Sequence, residues 1–305
     1  MQGGERYNSI SDYLKSEFGR KTIKLSIDAG FTCPNRDGTA GYGGCSFCSM
    51  GGSGDFASKV DSIDKQIEEA RARVDNKMSG VDPKERKYIA YFQSFTNTYG
   101  DFQHLKELFT ATINRPEIVI LSIGTRPDSI TDEMFLLLEE LNKIKPVWIE
   151  LGLQTVHERT AERINRCYPL STFENTYLRL KKCGITVITH VILGLPGETH
   201  EDMYETVRYL SNLNPPLDGI KLQLLHILKD TRLYDEYQEN PFHIMTLPEY
   251  TEVLLECLRI LPEETIIHRL TGDGPKKLLV EPSWSANKKV VMNTINKALR
   301  ENGFI

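Results

Sequence analysis

The sequence predicts an α/β fold: a partial (β/α)6 barrel of parallel strands with an N-terminal extension and a C-terminal α/β tail. Short apolar runs of strand length alternate with longer segments whose apolar residues recur at helical spacing, and six such units follow one another. This alternation is typical of a parallel sheet with crossover helices. Six units are too few to close an eight-unit barrel, so we expect an open one. A chain of 305 residues is long enough to bury the core of one large domain.

The strands are predicted where compact apolar stretches interrupt the helical segments. The six predicted strands cover residues 23–27, 88–92, 118–123, 147–151, 185–193 and 219–226. Apolar residues at helical spacing predict helices in the intervals between them, at 63–74, 102–113, 131–144, 156–165, 172–183 and 203–210. Thr131 is a suitable N-cap for the helix that it opens.

The two ends of the chain are predicted to lie outside the repeated units. Residues 1–22 are polar and partly helical, so we expect an extension packed outside the barrel. Residues 229–305 form a C-terminal extension with helices near 247–261 and 286–302 and a short strand at 266–268. The predicted organisation is therefore 1–22, 23–228 and 229–305, with the last part a candidate substrate-binding region.

Composition, apolar runs and net charge limit the classes of protein to which the chain can belong. The chain is 40% hydrophobic and 26% charged, which is ordinary for a soluble globular protein. No apolar run reaches the roughly 18 residues that span a bilayer, and the start of the chain lacks the apolar segment of a secretory signal. We therefore expect a cytoplasmic protein with no membrane partner. A net charge of −5 gives no general attraction to nucleic acid, so an RNA substrate would need a local basic surface.

Three cysteines form the most specific chemical motif. Cys33, Cys45 and Cys48 follow the first predicted strand with the spacing Cys-x11-Cys-x2-Cys, in a segment rich in glycine. Thiolates so close along a pliable backbone can converge on one metal centre. A structural zinc site usually has four ligands, whereas three cysteines suit a [4Fe–4S] cluster with one open iron. Free or buried thiols that cluster by chance are the alternative, since a disulfide framework would need an extracellular setting.

These residues resemble the radical S-adenosylmethionine (SAM) superfamily, and within it the YtqA/YhcC-like branch, which is related to the elongator catalytic-subunit type. The resemblance is carried by residues 24–38, 43–49, 91–99 and 268–275, and it spans most of the chain. The cysteine spacing differs from the Cys-x3-Cys-x2-Cys of the wider superfamily but agrees with this branch. The resemblance implies that the three cysteines hold the cluster and that SAM binds the open iron. It further implies a flavodoxin or ferredoxin type of electron donor and a 5′-deoxyadenosyl radical.

Polar clusters at the ends of two predicted strands are candidates for binding SAM, because ligands collect where parallel strands run into their loops. Gln93 and Ser94 follow the second strand, where many radical SAM enzymes carry Gly-Gly-Glu. A polar turn that caps the next helix is the alternative for this pair. Related enzymes have a ribose-binding glutamate after the third strand, but this chain has Gly124 there. Ser122 or Thr125 is expected to contact SAM instead.

The segments at the ends of the fourth and fifth predicted strands resemble SAM-binding segments of the superfamily. Gln154 resembles the residue that binds the SAM ribose, and Arg166 resembles the arginine that holds the SAM carboxylate. A guanidinium suits a carboxylate because it can bind both oxygens, and a solvated helix charge is the alternative for Arg166. Leu193 and Gly194 match the superfamily's segment whose backbone reads the adenine edge. An ordinary turn into the next helix is compatible with that role.

Three residues near the predicted SAM site are not assigned a role. Cys167 lies beside Arg166, but its counterpart in relatives tends to be glycine, so it is left out of the predicted catalytic set. His190 and His226 lie on strands near the ligand end, where each either meets a substrate or is hydrogen-bonded in the core. The core is the preferred interpretation for both histidines.

The substrate is predicted from the resemblance and from the tail. The YtqA-like branch is associated with tRNA wobble uridine, whose carboxymethylaminomethyl group at C5 is converted to aminomethyl. Trp284 and the lysines of the tail could stack a base and bind phosphates, although lysines at a helix start are also ordinary solvated residues. These lysines are Lys276, Lys277, Lys288 and Lys289. The alternatives are a radical SAM enzyme for a small metabolite and a non-catalytic, metal-stabilised RNA-binding protein.

Overall fold

Eight parallel strands form one open sheet, and the predicted fold class is confirmed as a half-barrel with helices around it. The computed structural model describes residues 7–52, 62–272 and 274–305. In chain order the strands are β1 (Asn8–Ser9), β2 (Thr22–Ile27), β3 (Lys87–Phe92), β4 (Ile118–Thr125), β5 (Val147–Gln154), β6 (Thr186–Leu193), β7 (Gly219–Leu224), β8 (Ile227–Leu228), β9 (Ile266–Arg269) and β10 (Leu279–Glu281).

The helices connect these strands in the order that the sequence predicts. They are α1 (Ile10–Phe18), α2 (Ile63–Val74), α3 (Phe102–Ile113), α4 (Asp132–Asn142), α5 (Glu158–Arg163), α6 (Leu170–Lys182), α7 (His200–Ser211), α8 (Arg232–Glu239), α9 (Leu247–Ile260) and α10 (Lys288–Glu301). Thr131 caps α4 as predicted, because its side chain accepts a hydrogen bond from the Met134 backbone N–H at 3.2 Å.

The strand order is β1-β9-β7-β6-β5-β4-β3-β2, so the six predicted strands are consecutive neighbours. The sheet continues beyond β7 with β9 from the tail and β1 from the N-terminus. Strands β8 and β10 make a separate antiparallel pair. The tail therefore shares the main sheet, and the predicted boundaries at 22/23 and 228/229 stay predictions.

The main core lies between the convex side of the sheet and the crossover helices. Alternate strand residues point to this side, as the strand period requires. Phe92 of β3, for example, packs edge to face on Phe109 of α3, with ring centroids 5.2 Å apart. The other strand residues face the concave side, where the polar and charged side chains of the site gather.

The N-terminal helix packs on the sheet and not outside it, which corrects the expectation from its polar composition. Leu14 of α1 belongs to a buried cluster with strand residues, and Tyr13 lies against Trp148 with ring centroids 6.2 Å apart. The strand members are Ile89, Ile120, Trp148 and Ile188. They alternate with residues of the main core, so α1 closes the concave side near the amino ends of the strands.

Within the described ranges, no helix is both long and apolar enough to cross a lipid bilayer.

Shortening the side chain of Leu14 tests whether α1 is part of the folded core. Leu14 is 5% exposed, so we expect Leu14→Ala to lower the free energy of unfolding by about 2–4 kcal/mol, because burial is lost and a cavity remains. The measurement is urea unfolding. Leu136→Ala on α4 is the control: that side chain is 63% exposed, and its loss should change stability by less than about 0.5 kcal/mol. Equal effects of the two substitutions would contradict the packing of α1.

Candidate active site

A single cavity lies where the strands of the half-barrel run into their loops. Its volume is about 230 Å³. All three motif cysteines line it, together with residues from the ends of β3 to β7 and from the loop after β9. The site is therefore at the carboxyl ends of parallel strands, as the fold leads one to expect.

The cysteine loop is held by short turns and by two arginines. The backbone N–H of Cys48 donates to the carbonyl of Cys45 at 3.0 Å, so these two thiols project from one tight turn. Arg36 donates to the carbonyl oxygens of Ser49 and Cys48, at 2.5 and 3.3 Å, and Arg232 donates to the carbonyl of Gly44. These cations fix the loop and bring positive charge to the place where an anionic thiolate cluster would form.

The three thiols fit an iron–sulfur cluster better than a single metal ion. A tetrahedral zinc with Zn–S bonds of about 2.3 Å would bring its ligand sulfurs to within roughly 4 Å of one another. Among the described residues, His157, Asp202 and Glu205 have ligand atoms that all lie within 4.8 Å of one another, whereas the three cysteines do not meet that condition. In a four-iron cluster each thiolate binds a different iron, so a wider spread of sulfurs is suitable.

Cys45 is a buried thiol whose surroundings shift its pKa. Burial raises the pKa of its thiol to about 12, and the nearby Cys48 and Cys33 thiols add to the shift while the Arg126 guanidinium opposes it. The Asn35 side-chain amide donates to the Cys45 sulfur at 3.6 Å. Binding to a metal centre would replace the proton of this thiol, because the thiolate is the form that binds iron. The donor set therefore fits the predicted cluster.

Three of the residues predicted to bind SAM line the cavity: Gln93, Thr125 and Gln154. The Gln93 side-chain oxygen accepts from the Ser26 hydroxyl at 3.1 Å. Gln154 has φ of 69°, a left-handed conformation that is costly for glutamine and that recurs at functional sites. The Tyr168 hydroxyl donates its hydrogen mainly to the Gly152 carbonyl and lies 3.4 Å from the Gln154 side-chain oxygen.

The side chains of Ser94 and Ser122 lie outside the cavity lining, so their contact with SAM stays a prediction. Both residues are fully buried. Ser122 donates its hydroxyl hydrogen to the Glu150 carboxylate at 2.9 Å. The structure therefore places Ser122 one layer below the strand ends, where it supports a charged residue.

Leu193 and Gly194 are also displaced from the cavity. Leu193 points into the main core, while its neighbour Ile192 lines the cavity, because successive strand residues face opposite sides. The Leu193 carbonyl already accepts from the Leu225 N–H at 3.0 Å, and the Gly194 N–H points to the Met203 sulfur at 3.2 Å. These backbone groups are engaged within the protein, so the geometry does not favour their reading the adenine edge.

Arg166 is an internal brace and not a cavity residue. Its side chain is fully buried, and its guanidinium donates to the carbonyl oxygens of Tyr168, Leu153 and Thr155 at 3.0, 3.1 and 2.6 Å. A fourth hydrogen bond goes to the Glu158 carboxylate at 3.2 Å. A SAM carboxylate would have to displace these partners, so the expected anchoring role does not fit this geometry.

Arg126 is the arginine that the structure brings to the cavity, and sequence reasoning passed over it. Asp128 accepts two hydrogen bonds from its guanidinium, at 2.9 and 2.6 Å, and so fixes its orientation. These interactions hold the pKa of Arg126 above its ordinary value against the effect of burial. The sequence segment Arg-Pro-Asp at a strand end could have identified Arg126. Proline stiffens the turn, and the turn lets the arginine and aspartate side chains meet.

The deepest part of the cavity is charged, and the sequence analysis did not identify it as a unit. We call Tyr91, Glu150, His190, Lys221 and Arg269 the polar floor; all five line the cavity. Glu150 is 1% exposed, and its carboxylate accepts from the Lys221 ammonium and from His190 Nε2, the latter at 2.8 Å. Lys221 also contacts the Tyr91 hydroxyl, at 3.1 Å. The polar floor could have been predicted from the sequence, because its polar residues alternate with apolar ones along the strands.

Lys24 supports the polar floor from outside the cavity lining. Its ammonium group donates to the Glu150 carboxylate at 2.5 Å and lies over the rings of Tyr91 and Trp148. Burial alone would raise the pKa of Glu150, but Lys221, Lys24 and the His190 hydrogen bond outweigh it and hold that pKa well below its usual value. Glu150 is therefore the fixed anion of this layer.

Burial has the opposite effect on two basic groups of the polar floor. It lowers the pKa of Lys221 to about 7, with Lys24 and Arg269 adding to the effect and Glu150 opposing it. It lowers the pKa of His190 to about 4, helped by Lys221 and opposed by Glu150. His190 is thus neutral at physiological pH, and its Nε2 must carry the hydrogen that it shares with Glu150.

The remaining candidates take definite positions. His190 and His226 both line the cavity, so the preference for a core position is not supported for either. Cys167 is exposed outside the cavity lining, and its thiol donates to the Asn165 side-chain oxygen at 3.3 Å. Gly124 lines the cavity, and a Cβ there would lie 3.2 Å from the Phe92 carbonyl, which explains why a small residue stands at this position.

Replacing Arg166 tests whether it is a brace. We expect Arg166→Lys to lower the free energy of unfolding by about 3–5 kcal/mol, because lysine leaves buried acceptors without partners. Arg179→Lys is the control: its pair with Asp132 is exposed, so the loss should be below about 1 kcal/mol. Urea unfolding measures both. A stable Arg166→Lys protein with weakened SAM binding would instead support the carboxylate anchor.

Comparison with known proteins agrees with this geometry. The model of the Radical SAM superfamily matches residues 33–210, and that of the Radical_SAM C-terminal domain matches residues 217–301. The uncharacterized protein YtqA of Bacillus subtilis is 42% identical over 300 residues, which cover 98% of this chain and 91% of the relative. Protein YhcC of Escherichia coli K12 is 34% identical over 304 residues, which cover 99% and 95%.

A solved structure shows the same fold. The archaeal Methanocaldococcus infernus Elp3 with an N-terminal deletion has a TM-score of 0.66 at 16% identity, over 90% of this chain and 63% of that one. At this identity the likeness concerns the fold alone. The two family models together cover most of the chain, and members of the family use a [4Fe–4S] cluster and SAM. The chain belongs to the radical SAM superfamily, in the group that contains YtqA and YhcC, and these two cofactors are its own.

Proposed function

We propose that this protein acts on the wobble uridine of tRNA and converts a carboxymethylaminomethyl group at C5 to aminomethyl. The observation that carries the proposal is the continuity of one cavity from the three cysteines to the polar floor. A radical formed at the thiol end would face a buried, charged surface that suits a small zwitterionic substituent. The tRNA identity itself is supported by the resemblance to the YtqA-like branch.

In this proposal the cavity residues divide into two sets. Cys33, Cys45 and Cys48 hold the cluster. Gln93, Thr125 and Gln154 address the ribose and amino groups of SAM, because amide and hydroxyl groups can donate to and accept from a diol. Arg126 takes the carboxylate role that the sequence suggested for Arg166, through its Nη1, since it lines the cavity while its Nε and Nη2 stay on Asp128 and on the Arg166 carbonyl. The buried Ser94, Ser122, Leu193 and Gly194 act at most as supports for these residues.

The cofactors, when bound, would supply a 5′-deoxyadenosyl radical that abstracts a hydrogen atom from the substrate. The conversion breaks the bond between the amine nitrogen and the two-carbon acid unit, which leaves as an aldehyde acid whose new oxygen comes from water. This is a two-electron oxidation of the substituent, and it is balanced by reductive cleavage of SAM to methionine and 5′-deoxyadenosine. The protein holds the substituent and excludes other solvent.

The surface beside the cavity mouth supports a polyanionic substrate. Pro275 lines the cavity, and the exposed Lys276 and Lys277 follow it directly. Lys288 and Lys289 are two further exposed lysines of the tail, in the first turn of α10. Phosphate contacts of this kind position a nucleic acid without reading its sequence. A flavodoxin or ferredoxin type of electron donor completes the proposed set of partners.

Trp284 has a different role from the one that the sequence suggested. Its indole N–H donates to the Met245 carbonyl at 3.0 Å, and its ring packs near Tyr250. The side chain is half-buried against the main core. It therefore anchors the tail, and base stacking by Trp284 is left out of the proposal.

Replacing one motif cysteine tests the cluster. We expect anaerobically reconstituted Cys45→Ser to lose most of its iron and the iron–sulfur absorbance, and 5′-deoxyadenosine formation to fall to background, because a hydroxyl is a poor iron ligand. Cys183→Ser is the matched control: this thiol lies at the end of α6 and does not line the cavity, so iron and activity should persist. A Cys45→Ser protein that still assembles a SAM-cleaving cluster would make the assignment wrong.

The substrate is tested by mass spectrometry of tRNA nucleosides from a strain that lacks the gene. We expect the carboxymethylaminomethyl form to accumulate and the aminomethyl form and its derivatives to disappear, because the step that links them is missing. A plasmid copy should restore the pattern, and a Cys45→Ser copy should not. Unchanged 5-substituted uridines would reject the tRNA proposal and leave a small metabolite as the alternative substrate.

A further inference from the structure

We propose that Asn35 is a positioning residue for the iron–sulfur cluster: its side-chain amide donates a hydrogen bond to the Cys45 sulfur and so raises the reduction potential of the bound cluster. The potential matters because an electron from the donor has to enter the cluster before SAM is cleaved. This role concerns the cofactor that Cys33, Cys45 and Cys48 hold, and it does not depend on the tRNA proposal.

A tight turn directly after the first cysteine places Asn35. The turn runs from Cys33 to Arg36 and is closed by the Arg36 backbone N–H, which donates to the Cys33 carbonyl at 2.8 Å. Proline and asparagine, here Pro34 and Asn35, are common in such turns. The loop then folds back, and the Gly44 N–H donates to the Asn35 carbonyl at 2.7 Å. Asn35 is thereby brought beside the second cysteine of the motif, ten residues further along the chain.

Both hydrogens of the Asn35 amide have a partner. Asn35 is fully buried, and its Nδ2 donates to the Asn165 carbonyl at 2.6 Å and to the Cys45 sulfur at 3.6 Å. Sulfur is larger than oxygen, so the second distance is that of a hydrogen bond. The Asn165 side chain donates in turn to the carbonyl oxygens of Tyr42 and Gly44, at 3.2 and 2.8 Å. The connection between β5 and α6 therefore anchors Asn35 against the cysteine loop.

The surroundings also decide which way the Asn35 amide points. The Asn165 carbonyl can only accept a hydrogen bond, so the nitrogen of Asn35 must face it, and a flipped amide would bring two oxygens together. On the other side, a Cβ at Gly41 would lie 2.3 Å from Asn35 Oδ1, so the backbone of the loop packs directly on that oxygen. With the nitrogen fixed towards Asn165, its second hydrogen is available to the Cys45 sulfur.

A donor at this sulfur favours the reduced state of the cluster. Reduction adds a negative charge that is shared by the cysteine sulfurs, and an N–H group stabilises the more negative state more strongly. Hydrogen bonds to the sulfurs are among the features that set the potentials of iron–sulfur clusters. Burial strengthens the effect, because little water competes for the bond. Asn35 is outside the cavity lining, so it acts on the cluster through Cys45 and not on SAM.

Replacing Asn35 tests this role. Asn35→Leu keeps nearly the same volume but has no donor. We expect the equilibrium constant for one-electron reduction of its reconstituted cluster to fall about tenfold, which is a potential lower by about 59 mV. An anaerobic redox titration of the holoenzyme without SAM, followed by the EPR signal of the reduced cluster, measures the potential. The SAM affinity should equal that of the wild type.

Tyr99→Phe is the matched control, because it removes a neutral hydrogen bond of the same loop. The Tyr99 hydroxyl lies 2.7 Å from the Thr39 hydroxyl, and this bond involves neither Asn35 nor a cysteine sulfur. We expect the potential of Tyr99→Phe to equal that of the wild type. An equal shift in both variants would mean that Asn35 acts only by holding the loop, and it would overturn the inference.

A second measurement needs no variant. Wild-type protein is produced with ¹⁵N in the side-chain amide of asparagine, and pulsed EPR of the reduced cluster should show a coupling to that nitrogen, because the hydrogen bond joins it to a ligand sulfur. Tyr99→Phe should keep the coupling, and Asn35→Leu should lose it. If Asn35→Leu does not assemble a cluster, the wild-type spectrum decides the question.

Three results would overturn the inference. They are an unchanged potential in Asn35→Leu, the absence of an asparagine coupling in the wild type, and a loss of SAM affinity in Asn35→Leu, which would assign the residue to SAM. A failure to convert tRNA uridine would leave the role of Asn35 as it stands, since both measurements are made without RNA.

Discussion

The rest of the site depends on one buried carboxylate, that of Glu150 in the middle of β5. It accepts hydrogen bonds from Lys24 on β2, Ser122 on β4, His190 on β6 and Lys221 on β7. Four strands of the half-barrel therefore meet at a single anion on the concave side. Removing such a group from water costs several kcal/mol, and only a full set of donors offsets it. An apolar residue at this position would avoid that desolvation cost, so we expect the charge to have a functional reason.

The concave side of the sheet is divided into layers by this arrangement. Near the amino ends of the strands, Leu14 of α1 and Trp148 form an apolar base. The polar floor lies above it, and the cysteine loop lies beyond the carboxyl ends. The apolar base keeps water from reaching Glu150 and its partners from below, which strengthens their electrostatic interactions. In the proposed function, the radical and the substrate would share this one cavity.

Two buried arginines show how similar residues take different tasks in this fold. Arg166 uses its guanidinium to join three carbonyl oxygens of the β5–α6 connection, which keeps Gln154 and Tyr168 in place. Arg126 is fixed by Asp128 and lines the cavity. The left-handed backbone of Gln154 is held by this surrounding structure. Strain of that kind persists only where neighbours determine the conformation, as they do here.

Sequence alone determined the order of six strands, the class of the fold and the cysteine motif, because strand-length apolar runs and ligand spacing are local patterns. It did not determine which strand residues face the cavity, since a shift of one residue reverses the side chain's direction: Leu193 packs in the core, whereas Ile192 lines the cavity. The polar floor joins residues from β3 to β9. Arg126 and not Arg166 lines the cavity, because the Arg166 guanidinium is held by the carbonyl oxygens of Leu153 and Thr155. Only tertiary structure decides such contacts, because burial and hydrogen-bond partners depend on packing between segments far apart in the chain.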